Sequence, residues 1–364
     1  MVGIGGIFNS VLLGVLIALA LKHRNSSHSD DELGHWRWIA GAVGAAFPFT
    51  EVFLYLISAG AMAQGMRGLT WSLLLLPVYA VGTAGFLAML SRKSWELLLT
   101  PVIGGLIAAW VLAVLSEPGL FPLALLVDWR VGLAVLNSFD IILFVLCAVG
   151  VGMAYAFKQY DRDLSRLTLM GVIAYVVMVG FWSWQAHAFG ESYAKSLNLA
   201  HTTVRVEPQA LSSLNWRVVV SEPNGRVHAT RITLSRGGSA RTSSVAESDP
   251  FKPRDEAVWK IYRRYGGKEV SEETQRQVRL AWYGWQSTAY GWLGRFSVFE
   301  RMYLPQEVGI GETCVGFRDI RAESKAQIER GTYVVCPGRT QVRVFQPDGR
   351  GMMRELVAYE GVRY

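Results

Sequence analysis

The chain changes its hydrophobic pattern about halfway along its length. Up to Ala186 the apolar residues come in long, unbroken runs, whereas after His187 apolar and polar residues alternate. Six of the runs approach the ~20 residues that a helix needs to cross a hydrocarbon layer of ~30 Å. These runs lie at 2–21, 38–60, 69–90, 97–115, 135–157 and 167–186. The pattern therefore predicts an α-helical membrane bundle of about six transmembrane helices over residues 1–186.

The alternating pattern of residues 187–364 is typical of β-strands. It predicts strands at 204–206, 216–220, 227–232, 296–303, 313–320, 332–336 and 341–346. One helix is predicted to begin after Ser271, a possible N-cap, and to carry Trp282 and Trp285 on one aromatic face. We expect a soluble α+β domain with an antiparallel sheet, on which this face packs. The alternative is a helix that lies on the outer leaflet or binds another membrane protein.

The charges are distributed as unevenly as the apolar residues. Residues 1–186 carry 10 basic and 10 acidic side chains, whereas residues 187–364 carry 26 and 19, so the second half holds the whole net charge of +7. This division excludes a disordered chain and an ordinary cytosolic enzyme. Because the arginines of the second half are scattered and form no basic run, nucleic acid is not an expected partner.

The orientation in the membrane follows from the basic residues of the short loops, which stay on the cytoplasmic side. The first, third and fifth loops hold eight of them, namely Lys22, Arg24, Arg37, Arg92, Lys93, Lys158, Arg162 and Arg166. The other loops hold only Arg67 and Arg130. We therefore expect a multi-pass protein of a bacterial inner membrane, with the N-terminus and the C-terminal domain in the periplasm.

Two of the three cysteines, Cys314 and Cys336, lie in predicted strands of the same sheet, and the third, Cys147, lies in the fifth apolar run. Outside the cytoplasm a pair of thiols can be oxidised. The sequence therefore predicts a disulfide between Cys314 and Cys336.

Two carboxylates fall inside predicted membrane helices, Glu51 in the second and Asp140 in the fifth. Such groups are costly in lipid, and they normally face the interior of a bundle and have a partner or a function. One interpretation is a structural ion pair or a protonated, hydrogen-bonded carboxyl group. The other is the remnant of a polar site at the outer end of the bundle, together with Arg67.

Several short motifs resemble one family. They are Asn9–Gly14, Phe47–Glu51, Met66–Ser72, Ser138–Asp140, Ala200–Val220 and Phe317–Arg321. The chain resembles the bacterial membrane-bound metal-dependent hydrolases, a group that includes a LexA-regulated inner-membrane member. The resemblance implies a helical bundle with histidine and aspartate clusters near one membrane face, followed in some members by a soluble domain.

The chain departs from this family where the metal ligands are expected. It has Met66 and Trp71 in place of two histidines, Phe49 in place of an aspartate and Asn9 in place of a histidine. One Glu and one Asp do not supply a normal metal-ligand set. The leading hypothesis is thus a degenerate family member without a cofactor that acts as a structural or accessory component of the membrane. Its partners would be the lipid bilayer and another membrane protein.

Two other functions remain open at this stage. The chain could be an active hydrolase of a lipid-linked or periplasmic ester, with Glu51, Arg67 and Asp140 as vestigial catalytic residues. A divalent metal is expected only under that hypothesis. A transporter is the third candidate, which the buried carboxylates suggest and the lack of an obvious inverted repeat disfavours.

Overall fold

The protein is described here by a computed structural model that divides into two compact units. The structure describes residues 4–22, 34–49, 72–116, 132–137, 139–209, 212–234, 251–286, 291–308, 313–321, 331–338, 341–347 and 353–360. The first unit, called the helical unit below, comprises Met1–Lys195, Val204–Val218 and Thr230–Val258. The second, called the C-terminal unit, comprises Ser196–Thr203, Val219–Ala229 and Trp259–Tyr364.

The helical unit is built mainly from apolar helices. In the described part of the chain these are α1 (Ile4–Ala20), α2 (Trp36–Ala46), α3 (Leu76–Ser91), α4 (Trp95–Leu115), α5 (Ile141–Ala156) and α6 (Asp161–Ser196). The boundary predicted after residue 186 lies inside α6, which continues without a break to Ser196.

The prediction of about six transmembrane helices is wrong. Among the described residues only two helical segments, Trp95–Leu115 and Lys158–Ser196, are long and apolar enough to cross a membrane. The helices α1, α3 and α5 have 17, 16 and 16 residues. At 1.5 Å per residue these three helices reach about 24–26 Å, which is less than the ~30 Å of hydrocarbon. The shortest helix, α2, has 11 residues.

The apolar runs overestimate helix length because local stop signals interrupt them. The run at 38–60 leaves the α-helix at Ala46 and enters a 3-10 turn, Phe47–Phe49, that contains Pro48. The run at 135–157 becomes helical only at Ile141, because Asp140 is the N-cap. Mean hydropathy over a stretch of about 20 residues does not reveal a turn or a helix cap, because one proline or one capping residue hardly changes the mean.

Glycines bring the backbones of α1, α2 and α4 into direct contact. A Cβ atom added at Gly105 would lie 2.2 Å from the carbonyl oxygen of Gly41, and one at Gly44 would lie 2.4 Å from that of Val102. A Cβ at Gly14 would lie 2.6 Å from the Cβ of Ala45. No L-side chain fits at these distances, so the three-helix contact depends on glycine. Close packing through small residues is typical of helices that associate in a membrane.

The strands form two antiparallel sheets instead of the single sheet that the sequence suggested. The first contains β1 (Thr203–Gln209), β2 (Ser212–Ser221), β3 (Arg226–Thr233) and β4 (Lys260–Arg263), in that order. The second contains β5 (Ser297–Tyr303), β6 (Cys314–Asp319), β7 (Thr332–Pro337), β8 (Gln341–Pro347) and β9 (Met353–Glu360), also in chain order. All seven predicted strands are confirmed. Buried and less buried side chains alternate along much of β3 and β8, whereas residues 216–220 of β2 are all buried.

The aromatic helix is confirmed as part of the core of the C-terminal unit. It is α7 (Glu272–Gln286), and Ser271 caps it by accepting a hydrogen bond from the Thr274 N–H at 3.2 Å. Trp282 and Trp285 are buried and pack against Phe317 of β6, with ring centroids 5.6 Å apart in both pairs. The alternative in which this face lies on a membrane or docks a partner is therefore wrong, because the sheet covers it.

Candidate functional site

Asp140 is the predicted site residue that the structure describes, and it is the N-cap of α5. It is 8% exposed, and its Oδ1 accepts a hydrogen bond from the Leu143 N–H at 2.9 Å. The first N–H groups of a helix have no partners within the helix, and a carboxylate at the N-cap satisfies one of them while interacting favourably with the helix dipole. Local helix chemistry therefore accounts for one face of this carboxylate.

A tyrosine from the neighbouring helix engages the same carboxylate. The hydroxyl of Tyr175 on α6 lies 2.9 Å from Oδ1 and 2.8 Å from Oδ2 of Asp140. In addition, the Asn9 amide of α1 donates to the backbone carbonyl of Asp140 at 3.2 Å. The network thus links three helices, α1, α5 and α6. It fits a hydrogen-bonded structural carboxyl group better than a catalytic one.

A small cavity adjoins this network. It has room for about one water molecule, and it is lined by Asn137, Phe139, Asp140, Ile141, Ile142, Gln209, Ser212 and Ser213. Pockets that enclose a small-molecule ligand measure ~300–1,000 Å³. The Asn137 side chain already makes two hydrogen bonds within the protein: it donates to the Pro208 carbonyl and accepts from the Phe139 N–H. The space suits a few atoms and offers no convergent set of polar groups for a substrate.

Of the three catalytic candidates from the sequence, only Asp140 belongs to the described part of the chain. Glu51 and Arg67 lie outside the described residues, so their distances to Asp140 are not part of the structure. Among the residues that are described, no group of three or more His, Cys, Asp or Glu side chains is close enough to hold a metal ion. Asn9 and Phe49, which stand where the resemblance calls for ligands, are each 2% exposed.

The cysteine pair forms the expected disulfide. In the register of β6 and β7, Val315 pairs with Val335, which places Cys314 directly opposite Cys336. The two Cα atoms are 4.3 Å apart, and the sulfurs are bonded. Both residues are fully buried in a cluster with Val308. The bond therefore links the central strands of the second sheet from inside its core.

Many arginines of the C-terminal unit, which the sequence shows only as scattered, stack on aromatic rings. The Arg301 guanidinium lies 4.0 Å from the ring centroid of Tyr303, and that of Arg343 lies 5.1 Å from that of Phe345. The sequence carried this signal, because residues two apart on a strand share a face. Arg343 also donates to both carboxylate oxygens of Glu355, at 2.8 and 2.7 Å, and this hydrogen bonding lowers the pKa of Glu355.

The most extensive feature of the helical unit is the outward face of α6, which we call the α6 stripe. It consists of Leu167, Met170, Ile173, Val177, Phe181 and Trp184, each between 53% and 67% exposed. The buried face of the same helix carries small or hydroxyl-bearing residues, including Ser165, Thr168, Ser183, Ala186 and Gly190. A helix of a water-soluble protein has the opposite arrangement, with its large apolar residues inside.

The neighbouring helices repeat this arrangement. On α3, Val78, Phe86 and Met89 are exposed while Ala80 and Ala84 are buried. On α5, exposed valines alternate with a buried glycine and alanine in the same manner. The outward surface of the helical unit is thus extensively apolar. A large exposed apolar surface indicates contact with a membrane or with another protein.

Comparisons with known proteins add no assignment: no family model, no curated protein and no solved structure matches the chain. The resemblance to the metal-dependent hydrolases therefore stays a prediction.

Proposed function

We propose that the protein is a structural or accessory membrane component without hydrolytic chemistry at Asp140. In this proposal α4 and α6 cross a bacterial inner membrane, and the helical unit holds a disulfide-bonded C-terminal unit on the periplasmic side. The observation that carries the proposal is the α6 stripe, since an exposed apolar face of this size is stable only in contact with lipid or another apolar surface.

The length of the α6 stripe fits a bilayer. From Leu167 to Trp184 there are seventeen residue steps, which correspond to about 26 Å at 1.5 Å per residue. The hydrocarbon core of a membrane measures ~30 Å. The stripe begins directly after Arg166, and it ends with Trp184, an aromatic residue of the kind enriched at membrane interfaces.

The inner face of α6 also fits a membrane helix. In lipid there is no hydrophobic drive to bury large side chains, so contacts are made by small residues that allow close approach. A Cβ atom added at Gly150 of α5 would lie 2.4 Å from the side chain of Thr168 on α6. The contact of α5 with α6 therefore also requires a glycine, although here the glycine packs against a side chain and not against a backbone.

The roles of Asp140 and of the disulfide support the rest of the proposal. The Asp140 carboxylate is occupied by the Leu143 N–H and the Tyr175 hydroxyl, which gives it a structural use. A stable disulfide forms in an oxidising compartment, and the periplasm is one. The Cys314–Cys336 bond thus favours a C-terminal unit outside the cytoplasm.

We expect the full-length protein to remain in the membrane pellet after alkaline carbonate extraction. Val177→Arg, in the middle of the α6 stripe, should cost about 3 kcal/mol of insertion free energy and shift protein to the soluble or aggregated fraction. Glu191→Arg, beyond the stripe on the same helix, is the matched control and should extract like the wild type. Complete release of the wild type by carbonate, or equal behaviour of the two variants, would contradict the proposal.

Substitution of Asp140 separates a structural carboxylate from a metal-binding one. Asp140→Asn keeps one oxygen that accepts hydrogen bonds, so its unfolding free energy should fall by less than about 1 kcal/mol, whereas Asp140→Ala should lose about 2 kcal/mol. The measurements are thermal unfolding in detergent and metal content of the purified protein. A stoichiometric metal that disappears in Asp140→Asn without a change in stability would instead favour the hydrolase.

A further inference from the structure

We propose that the N-terminal end of α6 binds the headgroup of an anionic phospholipid. Lys158, Arg162 and Arg166 hold the phosphate, and the adjoining α6 stripe takes up an acyl chain. This inference rests on the membrane placement proposed above, and it adds a lipid class and a site to it.

The three cations share one side of the helix. Arg162 and Arg166 are spaced by four residues, which places them above one another on α6, and Lys158 precedes Arg162 by the same interval. Lys158 belongs to the 3-10 turn that leads into α6, and Arg162 and Arg166 belong to its first two turns. Met170 and Ile173 continue the same side into the α6 stripe. A basic segment is therefore directly followed by an apolar one, which matches the order of headgroup and acyl chain in a phospholipid.

These cations retain hydrogen-bonding capacity, and Lys158 and Arg166 are exposed while Arg162 is half-buried. The Arg162 Nε is buried and has no hydrogen-bond partner among the described residues. Arg166 uses its Nε to donate to the carbonyl of Ala20 at 3.1 Å, and that bond does not involve its two terminal nitrogens. The Lys158 Nζ lies 5.5 Å from the ring centroid of Tyr155. A phosphate oxygen is the kind of acceptor that arginine binds best.

Among the described residues at this end of the helical unit, basic side chains outnumber acidic ones. Lys22 forms an ion pair with Asp161 at 3.3 Å, and Arg37 lies nearby, where it donates to the carbonyl of Ala18 at the end of α1. The acidic residues in the first turn of α6 are Asp161 and Asp163. Asp161 is paired with Lys22. Asp163 is therefore the acidic residue of this turn whose charge offsets the three cations. An anion at this position would also interact favourably with the N-terminus of α6.

The exposed aromatic rings and the apolar surface beside the cations favour a lipid over a soluble anion as the ligand. The exposed rings of Tyr155, Phe157 and Tyr160 lie at the same end as the cations. Aromatic residues of this kind gather at the level of the headgroups. Basic residues next to a membrane helix attract anionic lipids on the cytoplasmic side. The three cations and the apolar surface are thus continuous. A phospholipid would contact both, whereas a free phosphate would contact only the cations.

The test is native mass spectrometry of the delipidated full-length protein in detergent, titrated with phosphatidylglycerol or phosphatidylcholine. The wild type should retain phosphatidylglycerol in preference to phosphatidylcholine. The double variant R162Q/R166Q should lose about 25-fold in phosphatidylglycerol affinity, since each of the two cations removed contributes about fivefold. The matched control is R92Q/K93Q, which removes the same charge after α3 and should keep the wild-type affinity.

Each outcome decides the proposal. Equal losses in the two double variants, or equal retention of the two lipids, would overturn it, because net charge or detergent exchange would then explain the data. Competition by inorganic phosphate as strong as that by the lipid would also overturn it, in favour of a soluble anion. If the protein stays in the membrane after carbonate extraction but shows no lipid preference, this inference alone fails. If carbonate releases the protein, the proposed function fails as well.

Discussion

Gly105→Ala is expected to destabilise the helical unit by about 3 kcal/mol or more. The new Cβ would lie 2.2 Å from the carbonyl oxygen of Gly41 and 2.6 Å from the backbone nitrogen of Ala45, so α2 and α4 would have to move apart. Backbone atoms cannot rotate away as a side chain can, and overpacking of a tight contact costs ~1–3 kcal/mol even where side chains yield. The measurement is the unfolding midpoint of the full-length protein in detergent.

Gly180→Ala is the matched control for this substitution. Gly180 lies in α6 with nothing within 4 Å of an added Cβ. Alanine is a better helix former than glycine by about 1 kcal/mol, so this variant should be as stable as the wild type or slightly more stable. A Gly105→Ala protein that unfolds at the wild-type midpoint would mean that α2 and α4 do not touch through their backbones.

Removal of the disulfide in the double variant C314A/C336A should lower the unfolding free energy of the C-terminal unit by about 3 kcal/mol. The bond closes a loop with a sequence separation of 22 residues. Constraining such a loop in the unfolded chain contributes about this amount, although small cavities at the two fully buried positions add to the cost. The expected fall in the unfolding midpoint is roughly 6–12 °C.

The same experiment tests the compartment. Protein purified from membranes after alkylation should contain both cysteines as a disulfide, and dithiothreitol should lower the wild-type midpoint towards that of C314A/C336A. Dithiothreitol should leave the double variant unchanged, which controls for effects on the free Cys147. Two alkylated thiols at Cys314 and Cys336 would exclude the bond in the cell and would remove the main support for a periplasmic C-terminal unit.

The predictions that succeeded depend on local patterns. Alternation fixed the strands, and Ser271 with two following glutamates fixed the start of α7, because a cap and a period act over a few residues. The prediction of about six transmembrane helices was wrong because it was inferred from averaged hydrophobicity. Pro48 and Asp140 interrupt the helices at points that an average does not detect.

The candidate site divides in the same way. The sequence singled out Asp140 as a costly charge in an apolar setting, but it did not identify Tyr175, which lies 35 residues away in the chain. For a tyrosine in a long apolar helix, the sequence pattern does not show whether its hydroxyl donates a hydrogen bond or its ring only packs against neighbours. The arginines that stack on rings did have such a pattern, the spacing of two on a strand, and Arg301 with Tyr303 is an example.

The amino-acid sequence by itself determined the division into an apolar and a mixed half, the strands, the aromatic helix and the cysteine pairing, since each follows from residue type and short-range period. Only the tertiary structure decided which face of α6 is turned outward, which glycines touch a neighbouring backbone, and that the Asp140 carboxylate is held between two helices. These are contacts between segments far apart in the chain. Their geometry depends on how helices cross, and no local pattern encodes it.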